Sequence, residues 1–178
     1  MLEGKNVNLR IVEKEDLPLL LEWHTNLEFE GRYNRLAVQQ SKSEFEKKYD
    51  SLGSEEKWFV IEKRDGGKIG YIRTHLFGGM LEIGYALVPT ERGHGYCTEA
   101  VKIMVDYLFM SKSIVRIGSA THTENRASQK VLENAGFKRE GTERKGIFVW
   151  GEWVDLYFYS ILREEWKEPK ILIRTEKK

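Results

Sequence analysis

One cysteine in 178 residues is the first absence, and it excludes an internal disulfide. A reducing cytoplasm is therefore the expected home of the chain. Prolines number only three, and no Pro-, Gly- or Ser-rich stretch is long enough to separate domains. Surplus charge is missing too. Twenty-nine basic against 28 acidic side chains leave a formal net charge of +1, which gives no electrostatic case for nucleic-acid binding. No apolar run reaches the roughly 18 residues of a membrane helix, so no membrane partner is expected. The start, Met1-Leu2-Glu3-Gly4-Lys5, lacks the apolar centre of a signal peptide. His24, His75, His94 and His122 show no metal-ligand spacing such as His-x-x-x-His, so no metal is expected. The length suits one domain with a real core, residues 1–178, ending in a charged tail from about residue 166.

Against these absences stand five tryptophans, eight tyrosines and eight phenylalanines, enough for a core and a pocket lining. Asn8–Val12 alternates polar and apolar and predicts a short strand. Glu15–Thr25 predicts a helix with Leu17, Leu20, Leu21 and His24 on one face and Pro18 tolerated in its first turn. Residues 27–40 read as irregular. Ser41-Lys42-Ser43-Glu44 is a capping box for a helix running through Phe45, Tyr49 and Leu52 to Gly53. Strands at Trp58–Glu62, Ile69–Phe77 and Met80–Val88 are separated by glycine turns at 64–68 and 78–79. A helix over Thr98–Met110 carries the stripe Val101, Met104, Val105 and Leu108. Ile114–Ala120 reads as a strand. The next helix, Ser128–Ala135, ends at Gly136 in a left-handed cap with Phe137 as its apolar partner. Lys138–Trp150 and Glu152–Leu162 form a hairpin around Gly151, and Ile171-Leu172-Ile173 could pair along an edge. The order is βααβββαβαββ.

The segment with chemistry in it is Pro89-Thr90-Glu91-Arg92-Gly93-His94-Gly95-Tyr96-Cys97-Thr98-Glu99. It follows a strand and opens a helix. A glycine turn at a helix start aims unpaired N–H groups and the positive end of the helix dipole at one spot. Gly93 and Gly95 let backbone approach a ligand closely and adopt positive φ. A pyrophosphate cradle is the functional reading, and a tight strand-to-helix turn is the plain one. A P-loop is excluded because no glycine, four residues, Gly-Lys-Ser/Thr run exists. The dinucleotide fingerprint is excluded because Thr98 stands where its third glycine belongs.

The run Arg92-Gly93-His94-Gly95-Tyr96-Cys97 resembles the first motif of the GNAT acyltransferase superfamily, with Cys97 replacing the usual Gly or Ala. A second segment, from Asn125 through Ser128 to Ala135-Gly136-Phe137, resembles the family's later coenzyme A motif. Glu82-Ile83-Gly84-Tyr85, Gly95-Tyr96-Cys97-Thr98-Glu99-Ala100 and Asn125-Arg126-Ala127-Ser128 are most similar to the branch that acetylates N-terminal amines of ribosomal proteins. The resemblance implies an α/β (α+β) GNAT fold: a mixed, mostly antiparallel sheet of about seven strands flanked by about four helices. It also implies acetyl-CoA as co-substrate and an amine acceptor, either a protein N-terminus or a small molecule, with a homodimer left open.

On this resemblance, Gly93, His94, Gly95, Tyr96, Cys97 and Thr98, with Arg92, hold pyrophosphate. The backbone of Ala86, Leu87 and Val88 pairs with pantetheine. Strand alternation puts Glu82, Gly84 and Ala86 on one face, and Glu82 matches the glutamate that deprotonates the amine in several relatives. Without the resemblance it is a strand-end carboxylate or an ion-pair partner. Asn125 is either a helix cap or a ligand to pantetheine, and the two are compatible. Ser128 becomes the candidate acid because the family's usual tyrosine, four residues on, is replaced by Leu132. Cys97 as nucleophile is disfavoured by its place against phosphate. Trp23, Glu28, Glu30, Arg32 and Tyr33 fall where the family builds its acceptor wall, and equally suit an ordinary charged loop. The readings from other classes are a non-catalytic acyl-CoA-binding sensor or partner subunit, and an ATP-binding protein that lacks a P-loop lysine.

Overall fold

The computed structural model of the chain describes residues 1–35 and 39–171. Its frame is one eight-stranded sheet: β1 (Leu2–Glu3), β2 (Val7–Ile11), β3 (Trp58–Lys63), β4 (Lys68–Phe77), β5 (Met80–Leu87), β6 (Arg116–His122), β7 (Lys138–Val149) and β8 (Glu152–Leu162). The spatial order is β1-β2-β3-β4-β5-β6-β8-β7. Every neighbouring pair is antiparallel except β5 and β6, which are parallel. The helices are α1 (Leu17–Thr25), α2 (Leu27–Glu30), α3 (Lys42–Asp50), α4 (Tyr96–Ser111) and α5 (Arg126–Asn134).

Two elements go beyond the sequence reading. Residues 2–3 add a short edge strand beside β2. Residues 27–30, expected to be irregular, form α2, because the Asn26 side-chain oxygen Oδ1 accepts from the amides of Glu28 and Phe29 and nucleates the turn. Other local signals act as expected. The Ser41 hydroxyl and the Glu44 carboxylate cap each other's amides at the start of α3. Gly136 adopts φ +97, with Gly136 N–H bonded to Glu133 O and Phe137 N–H to Leu132 O, a complete Schellman end to α5. The two-residue turns at Gly78-Gly79 and Trp150-Gly151 have positive φ at both positions, which matches the twist of the hairpins they close.

Alternation along the strands gives the sheet two apolar faces. On one, Ile83 and Leu87 of β5 pack with Val101, Met104, Val105 and Leu108 of α4 and with Leu132 of α5. On the other, Val60 and Tyr71 pack with Leu17, Leu20 and Trp23 of α1, Phe29 of α2 and Phe45 of α3. Asp106, fully buried on α4, gathers the C-terminal segment: it accepts from Trp166 Nε1 at 2.8 Å and from the Lys170 and Ile171 amides. The suggested edge pairing of 171–173 thus gives way, at Ile171, to this clasp. Leu172 and Ile173 lie outside the described residues.

Candidate active site

A short 3₁₀ turn, Pro89–Glu91, leads from β5 into the glycine segment. Gly93 and Gly95 have φ of +84 and +83, and α4 begins at Tyr96. Glu99 is the first residue of the helix whose amide is bonded, to Gly95 O at 3.1 Å. Among the described residues, no group accepts from the amides of Gly93, His94, Gly95, Tyr96, Cys97 or Thr98. A Cβ built on Gly93 or Gly95 would meet nothing within 4 Å, so the concave side is open. These are the features a pyrophosphate requires: convergent donors, a helix dipole and no side chain in the way.

Arg92 departs from its expected role. Its Nε donates to Leu87 O at 3.0 Å and its Nη2 to Phe29 O at 2.6 Å, so the guanidinium fastens α2 to the end of β5 and not to the cradle. Burial lowers its pKa from the usual guanidinium value. His94 and Tyr96 stack at 5.7 Å, on either side of Gly95 in sequence. Burial pushes the Cys97 thiol up to about 12, so it stays protonated and is no nucleophile at neutral pH.

Beside the cradle the sheet opens. The parallel ladder between β5 and β6 consists of one pair, Glu82 opposite Gly118. Ser119 Oγ donates to Ile83 O at 3.1 Å, and beyond that bond the strands part. Val88 N–H donates to Ile69 O, which fixes the even-numbered residues of β5 as those bonded to β4. Alternation then turns the backbone groups of Tyr85 and Leu87 toward the gap. Of the three expected pantetheine partners, Leu87 therefore faces the gap, while Ala86 and Val88 spend their backbone on β4. Tyr85 takes the place of Ala86.

Glu82 lies on the face of α1 to α3 and is 5% exposed. Its Oε2 is 3.3 Å from His75 Nε2, and its Oε1 is buried with no hydrogen-bond partner. Gly118 makes room for it, since a Cβ there would stand 3.2 Å from Glu82 Cγ. A buried carboxylate oxygen without a donor is a rare and costly state. It suits a group that receives a proton-bearing ligand.

On the opposite face, α5 presents Ser128. Its amide is capped by Asn125 Oδ1 at 3.1 Å, which confirms the capping reading of Asn125 and leaves its Nδ2 as the donor for a ligand. The Ser128 hydroxyl meets Tyr85 Oη at 3.1 Å. Burial raises the Tyr85 phenol well above its usual pKa, so it remains a donor. Leu132 is fully buried in the core and does not reach the site. The sequence reading missed Tyr85, although Glu82-Ile83-Gly84-Tyr85 contains it. The signal was parity: Tyr85 is odd-numbered and points to the face away from Glu82.

The proposed acceptor wall divides. Trp23 is 7% exposed and stacks on Phe29 at 5.2 Å, so it is core support and not a free wall. Glu30 pairs with His24 Nδ1 at 3.1 Å. Glu28 is exposed. Arg32 lies over the Tyr33 ring at 4.7 Å, and Tyr33 packs on His122 of β6 at 5.1 Å. Arg32 and Tyr33 therefore bridge from α2 to the strand beyond the gap. No group of three or more His, Cys, Asp or Glu side chains among the described residues could hold a metal.

Residues 6–138 match the family Acetyltransferase (GNAT) domain. The probable N-acetyltransferase YjcK of Bacillus subtilis (strain 168) is 30% identical, the match covering 93% of this chain and 98% of that protein. The putative ribosomal N-acetyltransferase YdaF of the same organism is 33% identical over 60% of each. The crystal structure of spermidine N-acetyltransferase from Vibrio cholerae in complex with CoA and spermine superposes with a TM-score of 0.82 at 22% identity, over 92% of this chain and 99% of that one. This chain belongs to the GNAT family and is an acetyl-CoA-dependent N-acetyltransferase.

Proposed function

We propose that the protein transfers an acetyl group from acetyl-CoA to a primary amine by direct attack in a ternary complex. The observation that carries this reading is the continuity of gap and cradle. β5 loses its parallel partner after Glu82, and the unbonded amides of residues 93–98 stand just past its end. Those amides would hold the pyrophosphate. Tyr85 and Leu87 would bond the pantetheine arm, with Asn125 Nδ2 donating from the other side.

Glu82 accepts the proton of the attacking amine, since only a neutral amine has the lone pair for attack. His75, 3.3 Å away, orients the carboxylate. As the nitrogen–carbon bond forms, the carbon–sulfur bond breaks, and the Ser128 hydroxyl returns a proton to sulfur with Tyr85 behind it. The products are an N-acetyl amine and free thiol. Arg32 and Tyr33 cover the acceptor. A protein N-terminus, as in the ribosomal branch, and a small amine both suit this chemistry. One domain acting in the cytoplasm is part of the same reading.

Two measurements test it. Saturating acetyl-CoA should raise the melting temperature, because a ligand bound only by the native state stabilises it, whereas ATP should not. Thiol release should then follow with at least one member of an amine panel. A shift with ATP alone overturns the family of ligand, and a shift with acetyl-CoA without turnover by any amine makes the protein a sensor.

A further inference from the structure

Several arginines of this fold are tied down, and one in the site is not. Arg10 is held by Asp16 and Glu62, Arg92 by two carbonyls, and Arg163 by the carbonyls of Phe109, Lys112 and Ile114. Arg73 makes no hydrogen bond and no ion pair among the described residues. It lies on the same sheet face as the candidate base. Across β3, β4 and β5, Trp58, Arg73 and Gly84 stand in one row, and the neighbouring row holds His75 and Glu82. Successive rows on one face are about 7 Å apart along the strand. Gly84 gives the arginine its bed: a Cβ there would stand 3.6 Å from Arg73 Nε and 4.0 Å from Nη2.

A second cation reinforces the first. Lys48 of α3 holds its ammonium 5.9 Å from the centre of the Trp58 ring, in the row of Arg73. Partial burial and the Arg73 charge push that ammonium below its usual pKa, so each cation feels the other. Two carboxylates on this face pair with histidines and not with Arg73, Glu30 with His24 and Glu82, through Oε2, with His75. A polyamine would bring further positive charge to this place. A carboxylate would be met by a planar fork of donors, for which an arginine is the best-matched side chain.

We propose that the acceptor is a small primary amine bearing a carboxylate a few bonds from the nitrogen, an amino-acid-type substrate, and that Arg73 binds that carboxylate while Glu82 receives the proton of the amine. This rests on the acetyltransferase reading above. The reaction is unchanged by it: acetyl passes from thioester sulfur to amine nitrogen, the amine proton goes to Glu82, and the thiol is released.

The test compares amino acids with their decarboxylated amines, together with spermidine and a short peptide carrying a free N-terminus, by thiol release. The wild-type protein should favour the carboxylated member of a matched pair by at least about tenfold in kcat/KM. Arg73→Gln, which keeps an aliphatic stem and a polar end, should raise KM for the carboxylated amine about ten- to a hundredfold and erase the preference. Arg73→Lys should restore part of it. Acetyl-CoA affinity by calorimetry should be the same in all three proteins, which shows that they are folded. Turnover with a preference for spermidine or the peptide, or a preference that survives Arg73→Gln, overturns the proposal and leaves the acetyltransferase reading standing. Acetyl-CoA binding without turnover of any amine overturns both.

Discussion

Tyr85 and Ser128, from a strand and a helix that meet at the edge of the gap, share a hydrogen bond of 3.1 Å between their hydroxyl oxygens. Both oxygens carry protons at working pH, because burial holds the Tyr85 phenol far above neutrality. If they act as one relay, Ser128→Ala and Tyr85→Phe should each lower kcat about tenfold, and the double variant should be no worse than the poorer single one. Neither loss should recover at high pH, because neither hydroxyl serves to free the amine. Strictly multiplicative losses in steady-state kcat would separate the two residues.

Glu82→Gln preserves size and polarity but cannot take a proton. A positioned general base contributes roughly 10²- to 10⁴-fold in rate, so kcat should fall within that range while acetyl-CoA affinity holds. Raising the pH supplies free amine and should recover part of the loss. Full activity of Glu82→Gln across the pH range would move the base elsewhere, with Glu28, Glu30 and a water chain the next to be tested.

The cradle can be tested with an internal control. Gly95 and Gly66 have φ of +83 and +88, and a Cβ on either would meet nothing within 4 Å. Alanine at each position therefore carries the same backbone strain, about 1–2 kcal/mol. Only Gly95→Ala also places a methyl group against the phosphates. Calorimetry should show acetyl-CoA affinity at least about tenfold weaker for Gly95→Ala and unchanged for Gly66→Ala. Equal affinities in the two variants would remove residues 93–98 from the binding site.

The order of elements along the chain and the glycine turn that opens α4 were legible because each depends on local rules. Glycine pairs set turns, alternation set strand faces, and the Asn125 to Phe137 run announced a capped helix at both ends. What was not legible depends on contacts far apart in sequence. Nothing near Arg92 reveals that its side chain is drawn to the carbonyl of Phe29, 63 positions away. Trp23 could not be assigned to core or wall until α2 stacked Phe29 upon it. Tyr85 shares a strand with Glu82 but lies on its other face, and only the meeting with Ser128 of α5 brings it to the site. Arg73 reads as an ordinary polar position in β4 until its lack of a partner is seen in three dimensions.

Asp16 offers a pH-dependent signature away from the site. The carboxylate is 3% exposed and accepts from Arg10 Nη1 and Nη2, Lys68 Nζ and the Glu13 amide, each at 2.8–3.0 Å. The Arg10 hydrogen bonds hold its pKa well below the carboxylate range. Its stabilisation is thus fully present above the unfolded value of about 3.9 and is lost as pH falls from there toward the folded value. Asp16→Asn should cost roughly 2–3 kcal/mol at pH 7, less than for a wholly buried pair because Arg10 and Lys68 retain access to water. The difference from wild type in urea unfolding should shrink steadily below about pH 4. A difference that is constant from pH 7 to pH 3 would show that the charge is not its source.

The lone Glu82–Gly118 rung has a mechanical meaning. Strands β1 to β5 form one panel, and β6, β8 and β7 form another. Through the sheet itself they are joined by that one backbone pair and the Ser119–Ile83 bond beside it, as by a narrow hinge. A pantetheine arm lying between Tyr85 and the far panel would serve as the missing rungs. Substrate binding and sheet completion then become the same event, and the two panels would exchange their amide hydrogens as separate cooperative units until it occurs.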